Sequence, residues 1–148
     1  MKRRRDKLYS NPVAQAMVRQ QVMASLRRIK TDSELQAYAG ARVSDLVSDA
    51  CMLLYSVAWA CRVNGIGADN PDARIMRGMA SALADLAAYP SQLETHRPAI
   101  QSGLAAIERV LPSLEPLAIG VGMVECKNRI AGTGIGAEDI HQLLKDGP

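Results

Sequence analysis

The sequence predicts an all-α protein, a compact bundle of five to seven helices. Apolar residues recur along the chain at the three- and four-residue spacing of amphipathic helices. Asn-Pro pairs at Asn11–Pro12 and Asn70–Pro71 are typical helix starts, because asparagine caps free N–H groups and proline fits the first turn. With no Phe and a single Trp, the core is expected to consist of Ala, Leu, Val, Ile and Met. A chain of 148 residues fits one domain.

The first helix is expected to begin at Pro12 and to end near Lys30. Its inner stripe consists of apolar residues spaced by four and three: Val18, Val22, Leu26 and Ile29. A separate short helix is expected after Lys30, with Thr31 or Asp32 as its cap, because Thr31 and Glu34 have the spacing of a capping box. Gly40 is expected to end it.

A strongly apolar helix is expected from Val43 to Asn64, closed by Gly65. Apolar residues cover more than one of its faces, which is typical of the central helix of a bundle. The next helix starts at the Asn70 cap and ends at Pro90, and its inner stripe is Ile75, Met79, Leu83 and Leu86. A further helix is expected from Thr95, with Pro98 in its first turn, and its apolar residues are Ile100, Leu104, Ile107 and Leu111.

The segment after Pro112 allows two interpretations. Leu117, Ile119 and Val121 alternate as in a strand, while the helical surroundings favour a helix. We expect the helix, with Ala118 and Gly122 forming a close-packed face. A glycine-rich connection over residues 132–136 then leads to a last helix over residues 137–145, with Ile140, Leu143 and Leu144 on one side.

Charge is distributed unevenly along the chain. Residues 1–30 contain nine basic side chains and one acid, for a net charge of +8, whereas residues 31–148 have a net charge of −5. The nine basic residues are Lys2, Arg3, Arg4, Arg5, Lys7, Arg19, Arg27, Arg28 and Lys30. We interpret residues 1–10 as a basic N-terminal arm, residues 11–148 as a single helical domain, and these nine residues as the candidate binding residues. Such a segment can contact nucleic-acid backbone or an acidic protein surface, or be neutralised by its own domain.

Several classes of protein are excluded by the composition. The longest uncharged stretch of the first half, residues 50–61, is shorter than the roughly twenty residues that cross a bilayer, so no membrane partner is expected. The N-terminus lacks the apolar core of a signal peptide. An odd number of cysteines without framework spacing favours the cytoplasm.

Motifs for metal binding and catalysis are not found in the sequence. The three cysteines (Cys51, Cys61, Cys126) and two histidines (His96, His141) show no zinc-ligand spacing, so no metal and no cofactor are expected. The glycines of residues 132–136 lack the spacing of a dinucleotide loop, and there is no nucleophile elbow. A helix-turn-helix around Gly40 would present Asp45 and Asp49 to phosphates, which disfavours it. We therefore do not expect an enzyme.

The sequence predicts a non-catalytic helical binding protein whose basic N-terminal segment contacts nucleic-acid backbone. The alternative is a protein-docking adaptor or inhibitor that binds an acidic protein surface, for example a small phage or mobile-element protein that blocks a host complex. A third hypothesis is a helical enzyme or small-ligand binder. Because the helix over residues 43–64 carries few charges, a homodimer is also expected.

Overall fold

The computed structural model describes residues 11–39 and 43–145, and these residues form six α-helices and no strand. The helices are α1 (Pro12–Ala39), α2 (Val43–Val63), α3 (Pro71–Ala88), α4 (Leu93–Val110), α5 (Pro116–Ala131) and α6 (Ala137–Lys145). A 3₁₀ turn, Pro90–Gln92, leads into α4, and a second, Leu111–Ser113, follows it. The predicted all-α bundle is confirmed, and its number of helices lies in the expected range.

Helix α2 forms the centre of the bundle. It packs against α1, α3, α5 and α6, and its buried residues extend from Leu46 to Cys61 around the whole helix. The most extensive pairings of the bundle are α3 with α4 and α2 with α5. The expectation of a central apolar helix is therefore correct, and every other helix except α4 uses α2 as its main support or one of its two main supports.

By length and composition alone, α2 could cross a membrane. In the structure, 56% of the apolar 18-residue stretch of this helix is buried inside the bundle, as in the core helix of a folded domain. The apolar surface that suggested a second copy of the chain is thus covered largely by the chain's own helices. The homodimer and the absence of a membrane partner stay predictions.

The two Asn-Pro helix starts have the expected capping geometry. The side-chain oxygen of Asn70 accepts hydrogen bonds from the backbone N–H groups of Asp72 and Ala73, at 2.8 and 3.1 Å. Asn11 accepts in the same way from the second and third residues of α1, at 3.0 and 3.2 Å. Gly65, with φ of 76°, follows α2 as its predicted terminator. These local signals therefore place both helix starts and the end of α2.

Two helix boundaries differ from the sequence-based expectation. Helix α1 does not end near Lys30 but continues through Thr31 to Ala39. Between Pro12 and Gly40 there is neither glycine nor proline, and a threonine inside a helix costs only about 0.7 kcal/mol. Helix α4 begins at Leu93, two residues before Thr95, because the preceding 3₁₀ turn feeds directly into it; Pro98 therefore lies beyond the first turn.

The ambiguous segment after Pro112 is a helix. Ala118 is fully buried, and Gly122 lies against the backbone of Ser56 and the β-carbon of Trp59 on α2. The close-packed Ala118/Gly122 face is confirmed. The apolar side of α6, with Ile140, Leu143 and Leu144, is also buried as expected.

Candidate functional site

Three of the nine candidate binding residues can be located with their side chains. Arg19, Arg27 and Arg28 are exposed on α1. Lys30 lies on the same helix, but its side chain is outside the described residues. Lys2, Arg3, Arg4, Arg5 and Lys7 also lie outside the described residues. The structure therefore locates only the helical part of the predicted basic surface.

A row of exposed residues runs along the solvent side of α1. Spacings of four, three and four place Val13, Met17, Gln20 and Ala24 on one line, and Arg27 and Arg28 stand on either side of its continuation. We call these six residues the outer row. Val13 is 68% exposed and Met17 59%. The outer row therefore begins with this apolar pair, which we call its apolar half, and ends with the pair Arg27 and Arg28, which we call its basic half.

On the opposite side of α1, the helix packs through a narrow contact. Val22 is 3% exposed and Val18 is half-buried, and Val18 faces Gly120 of α5. The side chains of Leu26 and Ile29, which complete the predicted stripe, are outside the described residues. The inner stripe is therefore supported at two of its four positions.

Arg19 and Arg28 lie on opposite flanks of α1, so the described arginines do not form one patch. Arg28 borders a small cavity of about 30 Å³ that Asp49 and Met52 of α2 also line. Arg19 borders a different space, between α1 and the segment that joins α4 to α5. Nine positions along the helix separate them, about 13.5 Å of axial rise. A single flat polyanion would therefore not meet both arginines in the same way.

The space beside Arg19 is a groove with a volume of about 420 Å³, which we call the α1 groove. Its lining is apolar apart from one cation and consists of Arg19, Val22, Met23, Leu111, Pro112, Leu114, Pro116 and Ile119. A polar compartment of about 300 Å³ shares Arg19, Pro112, Leu114 and Pro116 with it and adds Gln15, Asn64, Ser113 and Glu115. Arg19 therefore lies where the apolar and polar compartments meet.

The far wall of the α1 groove is shaped by two prolines. The 3₁₀ turn Leu111–Ser113 contains Pro112, the backbone of Leu114 is extended with φ −101° and ψ 142°, and Pro116 begins α5. Proline fixes φ and cannot donate a backbone hydrogen bond, so this connection does not continue α4. The sequence analysis used Pro112 only as the start of an ambiguous segment, did not consider Pro116, and missed the groove. The spacing of four residues between the two prolines was the available signal.

A second constellation joins α6 to α3. The Nε2 atom of His141 lies 3.1 Å from the carbonyl oxygen of Arg77 and 3.2 Å from Ser81 Oγ, and its Nδ1 lies 3.8 Å from a carboxylate oxygen of Glu138. A carbonyl only accepts, so Nε2 bears a proton and donates it to Arg77. That nitrogen is then not free to take a proton from Ser81, and the arrangement serves as a tie between helices rather than as a nucleophile–base pair. His141 is half-buried, so it is not a simple surface histidine.

The cysteines are not in environments that activate thiols. Burial raises the pKa of Cys61 to about 12, with the Asp72 carboxylate adding to the effect. Burial raises the pKa of Cys126 to about 11; Cys51 adds to this and Lys127 opposes it. Burial also raises the pKa of Cys51. Reactive cysteines have lowered pKa values, so none of the three has the character of a nucleophile.

Within residues 11–39 and 43–145, no three His, Cys, Asp or Glu side chains are grouped so that they could hold a metal ion. His96 is half-buried in α4, and its Nε2 atom is buried without a hydrogen-bond partner. Comparison of the chain with family models, with curated proteins and with solved structures found no match. The candidate sites therefore rest on their own geometry, and the outer row and the α1 groove are the most developed of them.

Proposed function

We propose that this protein is a non-catalytic docking protein that binds a partner protein through the outer row of α1. The observation that carries the proposal is the exposure of Val13 and Met17, 68% and 59%, in line with the two arginines of the same row. Within the described part of the chain, no carboxylate forms an ion pair with Arg27 or Arg28. Both halves of the row are therefore open to a partner.

The combination of residue types favours protein over nucleic acid. Methionine and arginine are enriched in the buried centres of protein interfaces, where a few residues supply most of the binding energy. Contacts with a phosphate backbone use charged and polar groups and gain nothing from an exposed valine or methionine. The outer row thus supports the docking alternative more strongly than nucleic-acid binding, which composition alone had placed first.

Nucleic-acid backbone remains a second candidate, because half of the chain's basic residues lie within residues 1–30. Arg27 and Arg28 are adjacent and exposed, which suits contact with neighbouring phosphates. This candidate predicts that changing the arginines weakens binding and that changing Val13 and Met17 does not. Docking to a protein predicts that the apolar half of the row matters equally.

The experiment compares two double variants of the outer row in a pull-down from nuclease-treated extract. One variant, Val13→Ser with Met17→Ser, changes only the apolar half, and the other, Arg27→Glu with Arg28→Glu, changes only the basic half. The matched control is Val124→Ser with Ile130→Ser, which removes two apolar side chains of similar exposure, 57% and 54%, from α5.

We expect both outer-row variants to lose the same captured partner and the control to keep it. A binding loss confined to the arginine variant, together with a salt-dependent shift of generic duplex DNA or RNA, would assign the row to nucleic acid instead. Equal capture by all variants would overturn the docking proposal.

A further inference from the structure

The α1 groove has the size and lining of a binding site. Clefts that hold ligands or partner side chains commonly enclose about 300–1,000 Å³, with mostly apolar walls and few polar groups that fix orientation. The groove encloses about 420 Å³, and three of its lining residues, Val22, Leu114 and Ile119, are almost fully buried. Met23, which also lines the groove, has an unbranched side chain that can adjust to the shape of an occupant.

Charge decides what can occupy the groove. Arg19 lines both compartments, and within the described residues no carboxylate pairs with it. An apolar group in the larger compartment therefore places whatever is attached to it beside a guanidinium that no described carboxylate neutralises. A carboxylate in that position would form a charge-assisted hydrogen bond, whereas an ammonium would be repelled.

The polar compartment limits how much negative charge the occupant can carry. Glu115 also lines it, together with Ser113 and Asn64. The amide nitrogen of Asn64 already donates to the carbonyl of Ala60, at 2.7 Å, and its side-chain oxygen can only accept a hydrogen bond. Arg19 is the one cation that lines either compartment, so a second acid on the occupant would find no further cation there and would add to the negative charge of Glu115.

We propose that the α1 groove binds an extended segment of the partner protein in which one acidic residue directly adjoins one large apolar residue. The apolar side chain fills the space between Met23 and Ile119, and the acidic side chain pairs with Arg19. The inference rests on the proposed docking function, because the outer row and the groove lie on the same helix and one partner can reach both. It goes further in naming the chemistry of the segment that is recognised.

The test uses an array of Gly-Ser peptides with blocked termini, in which every pair of residues is placed at two adjacent positions. The array is probed with the labelled full-length chain. We expect pairs of Asp or Glu with Leu, Ile, Met or Phe to bind about fivefold better than the matched Asn or Gln pairs, as for one exposed ion pair. Pairs of two acids are expected to bind no better than controls. No enrichment of acidic–apolar pairs would overturn the inference.

Three variants assign any enrichment to the groove. Arg19→Glu should shift the preference to Lys–apolar and Arg–apolar pairs, and Met23→Trp should abolish it by filling the apolar compartment. Arg74→Glu, an exposed arginine of α3 outside both compartments, is the matched control and should change nothing. Methyl NMR signals of Met23 and Ile119 should shift with the selected peptides. An enrichment that Arg19→Glu leaves unchanged would place the peptides elsewhere.

Failure here is distinguishable from failure of the docking proposal. If the array selects nothing while the outer-row variants still lose the captured partner, docking stands and the groove has no part in it. If the array selects acidic–apolar pairs while the outer-row variants keep the partner, the groove is the binding site and the outer row is not.

Discussion

A β-carbon at Gly122 of α5 would stand 2.7 Å from the carbonyl oxygen of Ser56 on α2, closer than the two atoms can approach. The β-carbon of Trp59 would be at 2.9 Å. Glycine at this position therefore allows α5 to approach the backbone of the central helix. We expect Gly122→Ala to lower the free energy of unfolding by about 1–3 kcal/mol, the usual cost of overpacking, as measured by urea denaturation.

Gly78→Ala is the matched control, and we expect it to change the free energy of unfolding in the opposite direction. Gly78 lies inside α3, is exposed, and would bring its β-carbon within 4 Å of nothing. Alanine there should raise the free energy of unfolding by about 0.5–1 kcal/mol, because it restricts the unfolded chain and favours the helix. If both alanine variants changed stability alike, the close approach of α5 to α2 would be refuted.

Replacing His141 tests the tie between α6 and α3. We expect His141→Ala to destabilise the protein by about 1–2 kcal/mol in chemical denaturation, because it removes the hydrogen bond to the Arg77 carbonyl from a half-buried site. Ser81→Ala should cost less, since Arg77 still accepts from the imidazole. Gln142→Ala is the control on the same helix, because its amide donates to Glu138 of α6 itself, at 3.2 Å, and does not tie α6 to α3. A Ser81 effect larger than that of His141 would contradict this assignment of the proton.

The raised pKa of Cys61 predicts a loss of stability at alkaline pH. In the unfolded chain the thiol ionises near its ordinary value of 9.0, whereas in the folded protein it does so only near 12. The contribution of the buried thiol to the free energy of unfolding is therefore complete below pH 9. It is lost as pH rises from 9 towards 12, and the free energy of unfolding then falls by up to about 1.4 kcal/mol per pH unit. Urea midpoints measured between pH 8 and 11 should fall less steeply for Cys61→Ala than for the native chain. Parallel curves for the two proteins would show that the thiol is not shielded.

Reversing the charges of Arg19, Arg27 and Arg28 to Glu should leave the fold intact. All three side chains are exposed, and such substitutions usually change stability by no more than about 0.5 kcal/mol each. Thermal melting is the measurement. If the native chain binds duplex DNA, each phosphate contact that the variant loses should reduce the slope of the logarithm of the binding constant against the logarithm of the salt concentration by about one unit. Global unfolding of the variant would mean that the arginines support the bundle rather than a partner.

Local signals in the sequence were enough to predict most of the helices. The Asn70 cap, the terminating Gly65 and the Ala118/Gly122 pair each act within a few residues of the feature they determine, so they can be read without the fold. The predicted break at Thr31 was wrong because a capping pattern does not end a helix when no helix breaker accompanies it.

The candidate sites were less predictable because they depend on contacts between distant residues. His141 meets Arg77 across 64 positions of sequence, and the α1 groove joins Arg19 to Pro112 and Pro116. The apolar half of the outer row was likewise missed. In the sequence, Val13 and Met17 look like ordinary residues of a packed helix. The structure shows that α1 packs through the side that bears Val18 and Val22, which leaves Val13 and Met17 exposed.

Trp59 gives the packing of α5 on α2 an optical consequence. Trp59 is the sole tryptophan of the chain, and its β-carbon lies against Gly122. The centre of its ring lies 6.5 Å from that of the Tyr55 ring, with an interplanar angle of 28°. Tyrosine excited at that separation transfers its energy to the indole, so the emission spectrum reports whether this turn of α2 is intact. Because the β-carbon of Trp59 lies against Gly122, separation of α5 would change the surroundings of this side chain and with them its emission. Intrinsic fluorescence therefore follows this one helix pair without any label.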